Sequence, residues 1–204
     1  MEDQTTGVME SLPQAHPDAG RRFWQTIAAG GLVAYPTDTL YGLGVDAGNG
    51  VALERLALLK GRPGPFSVMV GRYEQLTEYA LIPPQLANKL SRMLPGPYTF
   101  ILPVREQGTL PPRLSGPDGR IGFRVPDHPF LREVYRYQSG LVVTTSANRA
   151  GEPPIQDPQA IAEQFSDAVD LLIDGGSLPD SKGSTIIDPA VSPWLIIRQG
   201  DGRV

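Results

Sequence analysis

The sequence predicts an α/β fold built on a mixed sheet, and three observations carry that prediction. Short apolar runs that read as strands alternate along the whole chain with amphipathic helical stretches. The 23 glycines and 21 prolines mark many turns between short elements, which argues against a helical bundle. With 204 residues, 40% hydrophobic and 20% charged, the chain suits one domain with a substantial core and is cramped for two.

The elements follow in order. Residues 1–17 lack periodicity and read as a flexible acidic leader, so a single domain is expected over 18–204. Asp18 is a candidate N-cap for a helix that carries Phe23, Trp24 and Ile27 on one face and stops at Gly30 and Gly31. LVAYP at 32–36 reads as a buried strand. VALERLALLK at 51–60 reads as a second helix, capped by Asn49, with Ala52, Leu56 and Leu59 in line. FSVMV at 66–70 is a predicted strand, PPQLANKLSRML at 83–94 a helix with prolines at its start, and YTFILPV at 98–104 a strand. A Pro/Gly-rich loop leads to the strand RIGFRVP, the helix HPFLREVYRYQ and the strand LVVTTSA. The helix DPQAIAEQFSD, the strand LLIDGG and two closing strands near STIID and WLIIR complete the series. No internal repeat or interdomain linker interrupts it.

Composition removes several kinds of chemistry. The chain has no cysteine, which excludes disulfides, thiolate metal sites and a thiol nucleophile. Imidazole can come only from His16 and His128, so neither a histidine-rich metal site nor a Ser-His-Asp triad is expected. No apolar run approaches a membrane span and the N-terminus lacks signal-peptide character, so the cytoplasm is the expected compartment. The net charge of −4 comes from Glu2, Asp3, Glu10 and Asp18, which lie in a stretch without Lys or Arg. The other 18 acids match the 18 bases, leaving a neutral folded part and room only for a local basic cleft.

Four segments could carry chemistry. PTDTLYGLGVDA at 36–47 leaves a strand with hydroxyls and glycines, which fits either a ligand loop or a plain turn, and its spacing matches neither a P-loop nor a dinucleotide fingerprint. Lys60 and Arg62 at the end of the second helix fit either helix C-cap charges or a grip on phosphate oxygens. Alternation in RIGFRVP puts Arg120, Gly122 and Arg124 on one face, consistent with an anion-binding cleft or with an exposed edge strand. In LVVTTSANRAG the same alternation aligns Val142, Thr144, Ser146 and Asn148, so an apolar strand ends in hydrogen-bonding groups that could bind a ligand or cap a turn.

Taken together, PTDTLYGLG, LKGRP, PGPYTFIL, GFRVPDHP, TTSANRAGEP and STIID followed by LIIRQG resemble the YrdC family, from about Gly20 to Gly200. The pairing of K-x-R with S-x-N, here Lys60/Arg62 and Ser146/Asn148, is the family's signature. The resemblance implies a twisted mixed sheet with flanking helices around a large open cavity. It implies synthesis of threonylcarbamoyl-adenylate and pyrophosphate from L-threonine, bicarbonate and ATP with Mg²⁺, for the t6A modification of tRNA. Lys60 and Arg62 would be catalytic and, with Ser146, Asn148 and Arg198, would bind ATP. Thr37, Arg124, Thr144 and Ser184 would bind threonine, and Tyr41 would wall the pocket. Downstream t6A transferase proteins are the implied partners, and a tRNA or double-stranded RNA contact is a further expectation. The segment GPFSVMV after KGRP is shorter than the family's usual stretch, so no threonine-gripping residue is assigned there. The competing readings are a double-stranded-RNA-binding or ribosome-maturation protein, and a relative that uses another acyl substrate.

Overall fold

The computed structural model describes residues 9–105, 110–138 and 140–204. Among the described residues, ten strands join one mixed sheet: β1 (Glu10–Pro13), β2 (Val33–Tyr35), β3 (Gly42–Asp46), β4 (Ser67–Met69), β5 (Tyr98–Pro103), β6 (Arg120–Arg124), β7 (Val142–Ser146), β8 (Leu171–Asp174), β9 (Thr185–Asp188) and β10 (Leu195–Arg198). Their spatial order is β1-β8-β2-β3-β7-β4-β6-β5-β9-β10. The helices are α1 (Ala19–Ala28), α2 (Gly50–Leu59), α3 (Tyr73–Tyr79), α4 (Pro84–Met93), α5 (Pro129–Tyr137) and α6 (Pro158–Phe165).

Residues 10–13, expected within a flexible leader, instead form β1, which pairs in parallel with β8. Edge pairing to an existing strand needs only backbone groups, so periodicity gives no warning of it. Residues 1–8 of the expected leader lie outside the described residues. Two further elements, β3 and α3, have no counterpart among the predicted elements.

The caps behave unequally. Asn49 accepts from the backbone N–H of Val51 and Ala52 and starts α2 as expected. Asp18 precedes α1 but makes no capping bond; its carboxylate pairs with Arg21 at 2.8 Å instead.

Apolar side chains bury both faces of the sheet. α1 and α5 cover one face, where Phe23, Trp24, Phe130 and Val134 pack on Tyr35, Met69 and Leu171. The Trp24 indole N–H donates to the Val134 carbonyl at 2.7 Å and ties the two helices together. The larger core lies around Leu43, Leu56, Val68, Phe100 and Phe123. β6 is an interior strand between β4 and β5, which removes the exposed-edge explanation for its arginines.

β3 joins β2 to β7 antiparallel on either side, and its glycines let Tyr35 lie flat against it. A Cβ at Gly44 would stand 2.8 Å from both the Tyr35 ring and Val142. Gly44→Ala is therefore expected to destabilise the protein by ~1–3 kcal/mol through overpacking. Chemical denaturation would register this as a lower midpoint with an unchanged slope.

Candidate active site

Strand ends from distant parts of the chain meet at one hollow of about 300 Å³ near the middle of the sheet. The register explains the convergence: Gly42 lies opposite Ser146, Ser67 opposite Thr144, and Met69 opposite Arg124. Thr37, Tyr41, Arg62, Arg124, Thr144, Ser146, Ser184 and Arg198 all line the hollow. Each of these was assigned from the sequence.

The turn after β2 is shaped by Thr37. Its hydroxyl donates to the Leu40 carbonyl at 2.7 Å and accepts from the N–H groups of Thr39 and Leu40 at 3.1 and 3.2 Å. One donor and two acceptor sites are all that a hydroxyl has, so this group is committed to the turn. Tyr41 is equally fixed, donating to the Gly176 carbonyl at 2.9 Å and accepting from the Gly175 N–H at 2.8 Å. Burial pushes its phenol up to about 12. Tyr41 is therefore an uncharged part of the wall at ordinary pH.

On β7, Thr144 accepts a hydrogen bond from the Tyr35 hydroxyl at 2.9 Å. Ser184 shares a hydrogen bond with Thr99 at 2.8 Å, and its carbonyl accepts from the Arg198 guanidinium at 2.8 Å. The ladder shifts register between Ile196 and Arg198, an irregularity of the kind that re-aims a side chain, and Arg198 joins the cavity wall. Burial first, then the charge of Arg124, lowers its hold on its proton.

The signature residues divide into two groups. Arg62 lines the hollow, with its guanidinium over the Phe66 ring and donating to the Pro65 carbonyl at 2.7 Å. Lys60 lies behind the wall. Its ammonium donates to the Ser146 carbonyl at 3.0 Å, the Asn148 carbonyl at 2.6 Å and Asn148 Oδ1 at 2.8 Å. Those three bonds use every donor of an ammonium. Asn148 Oδ1 also accepts from the Ser146 hydroxyl at 2.5 Å, and its amide nitrogen donates to the carbonyls of Arg149 and Glu152. Lys60 and Asn148 thus lock the loop after β7 to the end of α2. Burial and the nearby Arg62 charge push Lys60 down to about 8, while its three acceptors favour the charged form.

Arg120 diverges from Arg124 although both lie on one face of β6. It pairs with Asp118 and Asp188 at 2.6 and 2.5 Å, away from the hollow. Arg124 turns inward and pairs with Asp38 at 2.6 Å. Thr39, Ser67 and Thr99 also line the hollow without having been assigned from the sequence. The signal for Thr99 was a small hydroxyl side chain between two aromatic residues in the run YTFIL.

A family model described as "Telomere recombination", Sua5_yciO_yrdC, matches residues 25–200. The chain belongs to the Sua5/YciO/YrdC family. A threonylcarbamoyl-AMP synthase of Nitrosococcus oceani is 38% identical over 154 residues, spanning 73% of this chain and 81% of that protein. The Pyrococcus abyssi threonylcarbamoyl-AMP synthase is 33% identical over 177 residues, which cover 85% of this chain and 52% of the relative. Among solved structures, P. abyssi Sua5 complexed with L-threonine superposes with a TM-score of 0.84 at 29% identity, covering 95% of this chain and 57% of that one. E. coli YciO gives 0.84 at 25% identity, covering 97% and 96%. The twisted open sheet with flanking helices is thus the fold shared with Sua5 and YciO.

Among the described residues no group of three or more His, Asp or Glu side chains could hold a metal ion, and no helix is long and apolar enough to cross a membrane. In this Sua5/YciO/YrdC domain, Lys60→Met would leave the carbonyls of Ser146 and Asn148 without their donor. The expected cost is ~1–3 kcal/mol of stability, read by thermal unfolding and absent from an exposed control such as Lys182→Met.

Proposed function

We propose that this chain is a threonylcarbamoyl-AMP synthase, a nucleotidyltransferase that condenses L-threonine, bicarbonate or CO₂, and ATP to threonylcarbamoyl-adenylate and pyrophosphate. The observation that carries the proposal is the convergence of Arg62, Arg124 and Arg198 with the Thr144, Ser146 and Ser184 hydroxyls on one hollow. Three guanidinium groups suit a substrate set made of a carboxylate, a carbamate and a triphosphate. The threonine bound to P. abyssi Sua5 and the names of the curated relatives support the same substrates.

The chemistry needs little proton transfer from the protein once the carbamate exists. The threonine amine attacks CO₂ and gives up a proton to solvent, or attacks bicarbonate with loss of water, and the new carbamate is already anionic. Its oxygen attacks the α-phosphorus, the bond from that phosphorus to the bridging oxygen breaks, and pyrophosphate leaves with the electron pair. The protein must align the two anions and offset charge on the departing group. Arg62 and Arg198 face the triphosphate, Arg124 takes the threonine carboxylate, and Thr144 and Ser184 sit between the two. Lys60 and Asn148 hold the Ser146 loop in place for the phosphates. Mg²⁺ would enter with ATP; among the described residues no carboxylate cluster offers it a site. Neutralising phosphate charge is the chemistry it supplies. The adenylate would pass to t6A transferase proteins, which would move its threonylcarbamoyl group to tRNA in the cytoplasm with release of AMP.

Purified protein incubated with ATP, Mg²⁺, labelled bicarbonate and each amino acid in turn is expected to give a labelled adenylate and pyrophosphate only with threonine. Equal product without threonine would overturn the assignment. Arg62→Ala should lower the rate ~100- to 1000-fold, by analogy with the loss of one oxyanion donor. ATP affinity, measured by calorimetry, should fall as pH rises through about 8, because Lys60 then loses the proton that holds Asn148. In Lys60→Met that pH dependence should vanish.

A further inference from the structure

Thr37 and Thr39 both line the hollow, whereas the residue between them, Asp38, does not. Asp38 Oδ1 accepts from Arg124 NH2 at 2.6 Å, and Oδ2 accepts from the backbone N–H of Asp127 at 3.2 Å. One carboxylate therefore joins the turn after β2 to both the last residue of β6 and the loop that follows it. The pair is enclosed, with side-chain exposures of 10% for Arg124 and 9% for Asp38. Arg124 NH2 also reaches Thr39 Oγ1 at 3.4 Å, while its Nε is buried with no partner among the described residues.

We propose that Asp38 is a positioning residue that anchors one nitrogen of Arg124, so that the remaining guanidinium donors present a fixed site for the carboxylate of the amino-acid substrate. This rests on the synthase reading above. Two physical reasons support it. A free arginine side chain retains many rotamers, and fixing it before the substrate arrives removes that entropy cost from binding. A buried guanidinium also needs a counter-charge, all the more with Arg198 close enough to be affected by it, and Asp38 supplies that charge from behind the wall without blocking the cavity. The substrate carboxylate then meets a cation that is already aimed and already buried. ATP, placed by Arg62 and Arg198, does not depend on this anchor.

Calorimetric titration of wild type, Asp38→Asn, Arg124→Gln and the double variant with L-threonine and, separately, with ATP tests the assignment. Asp38→Asn keeps the size of the side chain and removes its charge, so folding can be checked by circular dichroism and the variant compared directly. The expected result is a loss of threonine affinity on the order of tenfold with ATP affinity changed less than about twofold. In the Arg124→Gln background, Asp38→Asn should weaken threonine binding no further, because the group it positions is gone. Wild-type threonine affinity in Asp38→Asn, equal weakening of both ligands, or an undiminished effect in the Arg124→Gln background would each overturn the inference. Wild-type protein that binds ATP but not threonine would instead overturn the synthase reading on which it rests.

Discussion

A guanidinium in the middle of an apolar sheet must find a partner, and the Arg124–Asp38 pair is where this fold meets that requirement. Phe123 on one side of the arginine is fully buried and Val125 on the other equally so. β6 therefore cannot slide by one residue without turning Ile121, Phe123 and Val125 toward the polar cavity and its arginines into the core. The ion pair and the strand register support each other. From that fixed point the turn carrying Thr37 and Thr39 is held over the cavity, and the other cations take positions around it.

The same logic divides the polar side chains into those that build the wall and those that face the hollow. Thr37, Tyr41, Lys60 and Asn148 have their hydrogen-bonding groups committed to backbone or neighbouring side chains. Arg62, Arg124 and Arg198 retain donors toward the cavity, so charge is concentrated where anionic substrates would sit. The wall groups are no less important for that. Enclosed carbonyls and amides left unpaired would cost more than their bonds contribute, and a loosened wall would misplace the cations.

Under the proposed function, phosphate would be bound without a glycine-rich phosphate loop. Arg62 from the turn after α2 and Arg198 from β10 would stand in for the backbone cradle, and the mixed strand order makes that convergence geometrically feasible. β10 contributes through a local irregularity, since the shift between Ile196 and Arg198 accompanies the return of an otherwise exposed strand to the cavity wall.

Much of this was legible in the residues. Alternation and capping identified most elements because burial of one face and satisfaction of helix-end N–H groups are local requirements; Asn49 before α2 and Ile121, Phe123 and Val125 on β6 are examples. The signature segments named eight residues that line the cavity, although Thr37 and Tyr41 among them spend their hydroxyls on its wall. Other features depended on partners remote in the chain. β1 exists because β8 offers it an edge, Arg120 and Arg124 diverge because different carboxylates await them, and Lys60 serves the wall because the 146–148 carbonyls lie against it. The sequence by itself determined which side chains were available and which faces were apolar; tertiary structure decided which cations reach the hollow. Hydrogen-bond partners 86 to 88 positions apart, as for Lys60 and Arg124, are chosen by the order of strands in space, which no local pattern records.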